Sequence, residues 1–395
     1  MRHFSKTLLH FSALWVAVAA LTQLICNSRY LDNLTLWSLR WSEGGENVTW
    51  GDIDRLVIAA RNRAYLYEAL VEKEHLSNGL VVNRGRIAGQ ITDQCDSLLF
   101  SSLRWVSLHK LRWKEKAESA LGFLRKNQVE GSWIRHPECF DRSLSRDMLM
   151  GILVVLSQRP LGYEEDLIRL VSRIRDGGGF FSDGPSYVSY LTPGLGKILR
   201  MLLRNVELQG EGVPSAIRGG YSTNEFSLLV MSPGYEAHLA GLALWLEMEL
   251  GDHEQVRIDV NSIYRSLGYF FSYFSSGNPF AQGHKWVALR LVQVDPDNLF
   301  FRYLWFRSIG GLNARVASLL LAELLQMPQF PQERLPSSCD RTADFMWQRG
   351  SHEYNEIDVS CDRRFHGADF LWMASLLIEV LESPSAGIPS VADQI

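Results

Sequence analysis

Cysteine is scarce in this chain, with five residues among 395 and no CxxC spacing. That argues against a disulfide scaffold and against a cysteine-based metal site. A cationic excess is missing as well: Lys+Arg 40 stand against Asp+Glu 44, for a formal net charge of −4. Nothing is left over to neutralise a phosphate backbone, so nucleic acid is not an expected partner. No HExxH and no zinc-like His/Cys spacing occur. Asp176-Gly-Gly-Gly lacks the GxxxxGK of a phosphate loop. Asp295-Pro-Asp-Asn298 has oxygen ligands at close spacing but not the remaining positions or glycine of a calcium loop, and reads as a turn. No metal or cofactor is therefore expected.

Long apolar runs are confined to one place. After Arg2 and Lys6, residues Leu8 to Leu24 are apolar apart from His10, Ser12, Thr22 and Gln23. Ala17-Val18-Ala19 fits a small-x-small cleavage pattern, so residues 1–26 read as an export signal. Extended to Cys26, the run is also long enough for an uncleaved membrane anchor, and a buried amphipathic helix is the third reading. Residues 27–50 read as a linker, 51–383 as the folded domain and 384–395 as a disordered tail. The domain is thus expected outside the cytoplasm: periplasmic, extracellular, or tethered to a membrane through residues 8–26. In such a compartment Cys95, Cys139, Cys339 and Cys361 allow three pairings, of which Cys339–Cys361 would close one polar loop; four unpaired thiols is the alternative. Asn33-Leu-Thr and Asn47-Val-Thr are glycosylation sequons.

What is abundant is apolar surface. Hydrophobic residues make up 46% of the chain and charged ones 21%, enough to offset the entropy of ordering, so a core forms. From Asn47 onward apolar residues return every three or four positions, which predicts an all-α domain. The expected helices cover 52–75, 94–109, 113–127, 145–158, 163–176, 190–205, 222–231, 233–250, 254–275, 280–293, 312–326 and 367–382. Taken in order they pair as hairpins. First members, such as the one beginning Tyr163-Glu-Glu-Asp, carry a charged face; second members, such as Met148-Leu-Met-Gly-Ile-Leu-Val-Val-Leu and Phe370-Leu-Trp-Met-Ala, are apolar nearly all round. Loops leading into second members are often long and rich in Gly, aromatic and ionisable residues, with short strand-like pieces. Loops of that length in a packed domain are usually functional.

An inner set of apolar helices, an outer amphipathic set and long loops gathered on one face resemble the six-hairpin glycosidase-like (α/α)6 toroid superfamily over roughly residues 50–383. The resemblance implies carbohydrate chemistry in a cleft where the loops lead into the inner helices. Hydrolysis needs two carboxyl groups, and Asp96, Asp147, Glu236 and Asp369 each fall in or near the first turn of an expected inner helix. Asp96 and Glu236 would face each other across the ring. The same positions also suit plain helix starts. Sugar-binding candidates are Asp93, Trp133, Arg135, His136, Arg146, Tyr187, Tyr190, His238, His284, Trp286, Trp347, Arg364, His366 and Trp372. Their aromatic faces suit pyranose C–H surfaces, and their charges suit hydroxyls. The expected partner is a poly- or oligosaccharide. Two alternatives use the same rim: a uronate polysaccharide lyase working with Tyr, His and Arg, and a non-catalytic glycan-binding envelope protein.

Overall fold

A computed structural model describes residues 50–85, 91, 95, 97–129, 132–140, 143–183, 188–204, 206, 235–251, 282–296, 298–326, 363–364 and 366–383. Residues Gly51–Ile395 form one unit and Met1–Trp50 another. Among the described residues the chain is mostly helical, as the periodicity predicts. The helices are α1 (Trp50–Glu74), α2 (Ser97–Lys110), α3 (Lys114–Lys126), α4 (Arg146–Ser157), α5 (Tyr163–Asp176) and α6 (Pro193–Leu203). They continue with α7 (Tyr235–Glu249), α8 (Gln282–Val294), α9 (Leu299–Ser308), α10 (Ala314–Gln326) and α11 (Ala368–Glu382). The strands are short antiparallel pairs: β1 (Leu76–Ser77) with β2 (Leu80–Val81), β4 (Gln128–Val129) with β5 (Ser132–Trp133), β6 (Phe180–Asp183) with β7 (Val188–Tyr190), and β3 (Arg84–Gly85) with the distant β8 (Arg363–Arg364).

Amphipathic and apolar helices differ in burial as their sequences require. Helix α5 has Glu164, Glu165 and Asp166 in its first turn and Arg173 and Arg175 in its last, complementing the helix dipole. It buries one stripe, Leu167, Leu170, Val171 and Ile174. Helix α2 is buried from Ser97 through Leu108. Its serines tolerate this because Ser101, Ser102 and Ser107 each donate to the carbonyl four residues back, at 2.6–2.7 Å. Helix α11 is buried from Ala368 through Ile378.

Packing neighbours close a circuit: α2 lies on α4, α4 on α7, α7 on α9, α9 on α10, α10 on α11, and α11 on α2. Helix directions follow from side-chain contacts. Near the start of α2, Phe100 lies 4.3 Å from the His366 ring ahead of α11; at its end, Lys110 reaches Glu379 at 2.7 Å. The two helices therefore run the same way. In α7 and α9, His238 pairs with Asn298 at one end (3.1 Å) and Glu249 with Arg307 at the other (2.8 Å). Lys110 also reaches Glu249 at 3.2 Å, gathering the ends of all four. In the middle, Trp245 stands edge-on to Trp372 at 4.9 Å, and Trp372 to Phe300 at 6.1 Å.

Three expectations need correction. The helix expected from residue 190 begins later: Tyr190 closes strand β7, and α6 starts at Pro193, where Thr192 accepts from Leu195 N–H and proline fits the first turn. Helix α9 was not expected; Asn298 ends the predicted turn and caps it by accepting from Phe300 and Phe301 N–H at 3.1 and 3.3 Å. Because the 295–298 turn is tight, α8 runs against α9 and α7, so the segment 280–293 is not an inner helix of the expected direction. The predicted helices 222–231 and 254–275 lie outside the described residues.

Close approach between α2 and α4 depends on Gly151, where a Cβ would fall 2.9 Å from Leu99 Cα. Gly151→Val is expected to cost about 1–3 kcal/mol through overpacking. A lowered urea midpoint at unchanged slope is the readout; an unchanged midpoint would refute this contact.

Candidate functional site

Several chain segments meet where α2 and α11 begin. Cys95, two residues ahead of α2, is disulfide-bonded to Cys139 in the segment leading to α4. Arg84 lies opposite Arg364 and Gly85 opposite Arg363 in the β3–β8 pair, which joins the segments leading to α2 and α11. The β1–β2 hairpin is attached through Val81 N–H, which donates to Ser101 Oγ at 2.8 Å. Three of the loops expected at a common rim are thus fastened together.

Several predicted sugar contacts turn out to be braces for these loops. The Glu138 N–H donates to His136 Nδ1 at 3.1 Å, so the neutral ring carries its proton on Nε2 and donates to Ser77 O at 3.2 Å. Burial holds His136 below its usual pKa, against the opposing pull of Ser77 and Glu138. Arg135 Nε donates to Ser143 O at 2.7 Å, and Trp133 is buried in β5 opposite Gln128. His366 Nδ1 accepts from Ala368 N–H at 2.9 Å, a cap for α11. His238 is buried against Asn298 and the Phe301 ring. Trp372 is wholly buried in the core. Arg135, His136 and His366 share one reason: loop carbonyls and helix-start N–H groups withdrawn from water must find partners, and these side chains supply them.

The carboxylates divide. Asp369 is wholly buried in the first turn of α11, with Oδ1 accepting from Phe370 N–H at 2.9 Å. Asp147, half-buried in the first turn of α4, accepts from Ser145 Oγ, beside an exposed Arg146. Glu236 belongs to the first turn of α7, Tyr190 to β7, Trp286 to α8 and Arg364 to β8 by their backbones, with side chains outside the described set. Asp93, Asp96, Tyr187, Trp347, Cys339 and Cys361 also lie outside the described residues. Glu138, which no motif singles out, presents an exposed carboxylate that accepts from Asn78 at 3.1 Å beside these loops.

His284 lies elsewhere. Its Nε2 and Lys197 Nζ each approach Glu247 Oε2 at 3.1 Å, near the end of α7. Glu236, eleven positions earlier, is about 16 Å away along the axis at 1.5 Å per residue. The loops preceding α6 and α8 therefore approach the opposite end of α7, and the gathering expected on one face does not include them. Burial alone would raise the Glu247 pKa, but the His284 hydrogen bond and the Lys197 charge outweigh it and hold the carboxyl below its ordinary value of 4.5. At the adjoining helix ends, burial pushes the Tyr303 hydroxyl up to about 12, and it accepts from Arg307 at 3.3 Å.

Among the described residues no group of three or more His, Cys, Asp or Glu is placed to hold a metal ion. No helix among them is long and apolar enough to cross a membrane. No protein-family model and no curated protein matches the chain.

Two outcomes follow from this geometry. Replacing both Cys95 and Cys139 by Ser, across a sequence separation of 44, is expected to lower unfolding free energy by about 2–4 kcal/mol. Denaturant titration checks this, and no loss would mean the link is not formed. The lowered pKa of Glu247 stabilises the fold above its unfolded value, and that contribution disappears as pH falls through the folded value. Glu247→Gln should therefore be less stable by about 3–5 kcal/mol at pH 7, with the difference narrowing as pH falls through the lowered folded-state value. Parallel stability–pH curves would contradict the ion pair.

Proposed function

We propose that the chain is an exported carbohydrate-active protein, glycoside hydrolase-like, built as an (α/α)6-type ring of helical hairpins. The observation that carries this reading is the joining of the segments leading into α2, α4 and α11 by Cys95–Cys139 and by β3–β8. A rigid, loop-built surface at the start of apolar helices is where a glycan cleft belongs in such a ring. The closed circuit of helix neighbours supports the ring, and a disulfide supports an oxidising compartment and hence export.

Within that reading Asp96 and Glu236 remain the preferred carboxylate pair. Asp369 is withdrawn into the start of its own helix, and Asp147 is engaged by Ser145. Elimination from a uronate is less well supported than hydrolysis, because Arg135, His136, His238 and His366 are engaged with loop and helix-start groups. A non-catalytic glycan binder is the second reading, favoured by the same engagement of Asp147 and Asp369.

A panel of poly- and oligosaccharides, assayed in parallel for new reducing ends, for ultraviolet-absorbing unsaturated uronates and for binding, separates the three readings. Hydrolysis predicts reducing ends without unsaturation. Asp96→Asn and Glu236→Gln should each lower the rate by about 10²–10⁴-fold, with thermal unfolding little changed. Full activity in both variants would remove this pair.

A further inference from the structure

Helix α1 has two apolar sides where an outer helix needs one. Its inner face buries Ile53, Ala60, Ala64, Tyr67 and Val71. On the outer face Ile58, Tyr65 and Leu66 are 58%, 57% and 50% exposed. At i, i+7 and i+8 these three share one stripe. No other described element carries more than one exposed large apolar residue, and such residues scattered singly need no explanation. The stripe is extended by Trp113, ahead of α3, which meets the Tyr65 ring edge-on at 6.1 Å. Cations border it: Arg55 one turn before Ile58, and Arg112 and Lys114 on either side of Trp113, all exposed. Asp52 pairs with Arg55 at 2.7 Å, while Asp54 and Glu115 are exposed nearby.

We infer that this outer face of α1 lies against a lipid bilayer, with Ile58, Tyr65 and Leu66 at the headgroup–acyl boundary and Arg112 and Lys114 reaching lipid phosphates. The occupant is set by what precedes the helix. The apolar run Leu8–Leu24 has the composition of a membrane-inserted segment. Even fully extended, a stretch as long as residues 27–49 reaches no more than about 80 Å. Membrane insertion of the first segment would therefore hold α1 within reach of the surface and raise its effective concentration there. Tyr and Trp with flanking Arg and Lys suit the interface, where an apolar ring body and a polar tip are both satisfied. A surface stripe of this kind, too mixed to span, is suited to lying on the bilayer. The inference is independent of any glycan chemistry.

Hydroxyl-radical footprinting of the full chain on phosphatidylcholine–phosphatidylglycerol vesicles tests it, with Tyr65 oxidation normalised to Phe140 and Leu161, which are 89% and 93% exposed. The comparison is the double variant Ile58→Ser with Leu66→Ser, whose exposed positions leave folding intact. Tyr65 oxidation in the parent should be about 3–10-fold lower than in the variant on the same vesicles. Equal oxidation in a vesicle-bound chain would overturn the inference. So would a chain that does not sediment with vesicles, or protection lost on diluting protein at constant lipid, which would indicate a second copy instead.

Discussion

Helix α11 has no outward side. From Ala368 to Ile378 every residue is buried, including the wholly enclosed Phe370 and Trp372, and a helix in that state must be surrounded by others. Helix α2 meets the same requirement alongside it, from Ser97 to Leu108. Much of the remaining described structure can be understood as cover for this pair. Helix α1 stacks Tyr67 on Phe370 at 4.3 Å, α7 brings Trp245 to Trp372, and α10 and α4 close the flanks. Several charges admitted to this interior arrive paired: Arg104 with Glu68 at 3.0 Å, and Lys110 with Glu249 and Glu379. Burial raises the Glu68 pKa while the hydrogen bond and charge of Arg104 oppose it.

Surrounding two helices leaves their starts as the place where loops must converge. There the backbone groups of β1–β2, of the Cys139 segment and of the helix starts compete for few donors. His136 and Arg135 donate to the loop carbonyls of Ser77 and Ser143, and His366 accepts from the N–H of Ala368 at the start of α11. The polar residues nearest the junction are largely occupied with holding it together, and Glu138 presents an exposed carboxylate beside them. The Lys197–Glu247–His284 cluster serves the opposite end of α7, joining three helices through one carboxylate oxygen.

Helix positions were legible because burial and period coincide. Tyr163–Asp176 has charged ends and one apolar stripe, and its bounds match the sequence reading. Helix α9 was not legible: Leu-Phe-Phe-Arg-Tyr-Leu-Trp-Phe is rich in aromatics that do not favour helix by themselves, and only the Asn298 cap and burial by tertiary contacts fix it. Placing 280–293 among the inner helices put His284 at the wrong end of α7. Residue type alone misread the site further. A histidine in a Gly-rich loop reads as a ligand-binding group, whereas His136 and His366 are placed by nearby N–H groups that no spacing rule reveals. Among the cysteines, spacing left three pairings open, and only the meeting of two distant loops selects Cys95–Cys139. The two glutamates ending the apolar run of α7, Glu247 and Glu249, were a readable sign of a polar cluster that the loop-centred reading passed over.

We propose that function resides where α2 and α11 begin. Hydrogen-exchange mass spectrometry of the full chain, with and without the glycan that most raises its melting temperature, locates the contact without assuming a reaction. Exchange should slow in peptides covering residues 76–97, 132–147 and 363–372, with those around Lys197, Glu247 and His284 unchanged. Protection confined to the latter group would contradict it.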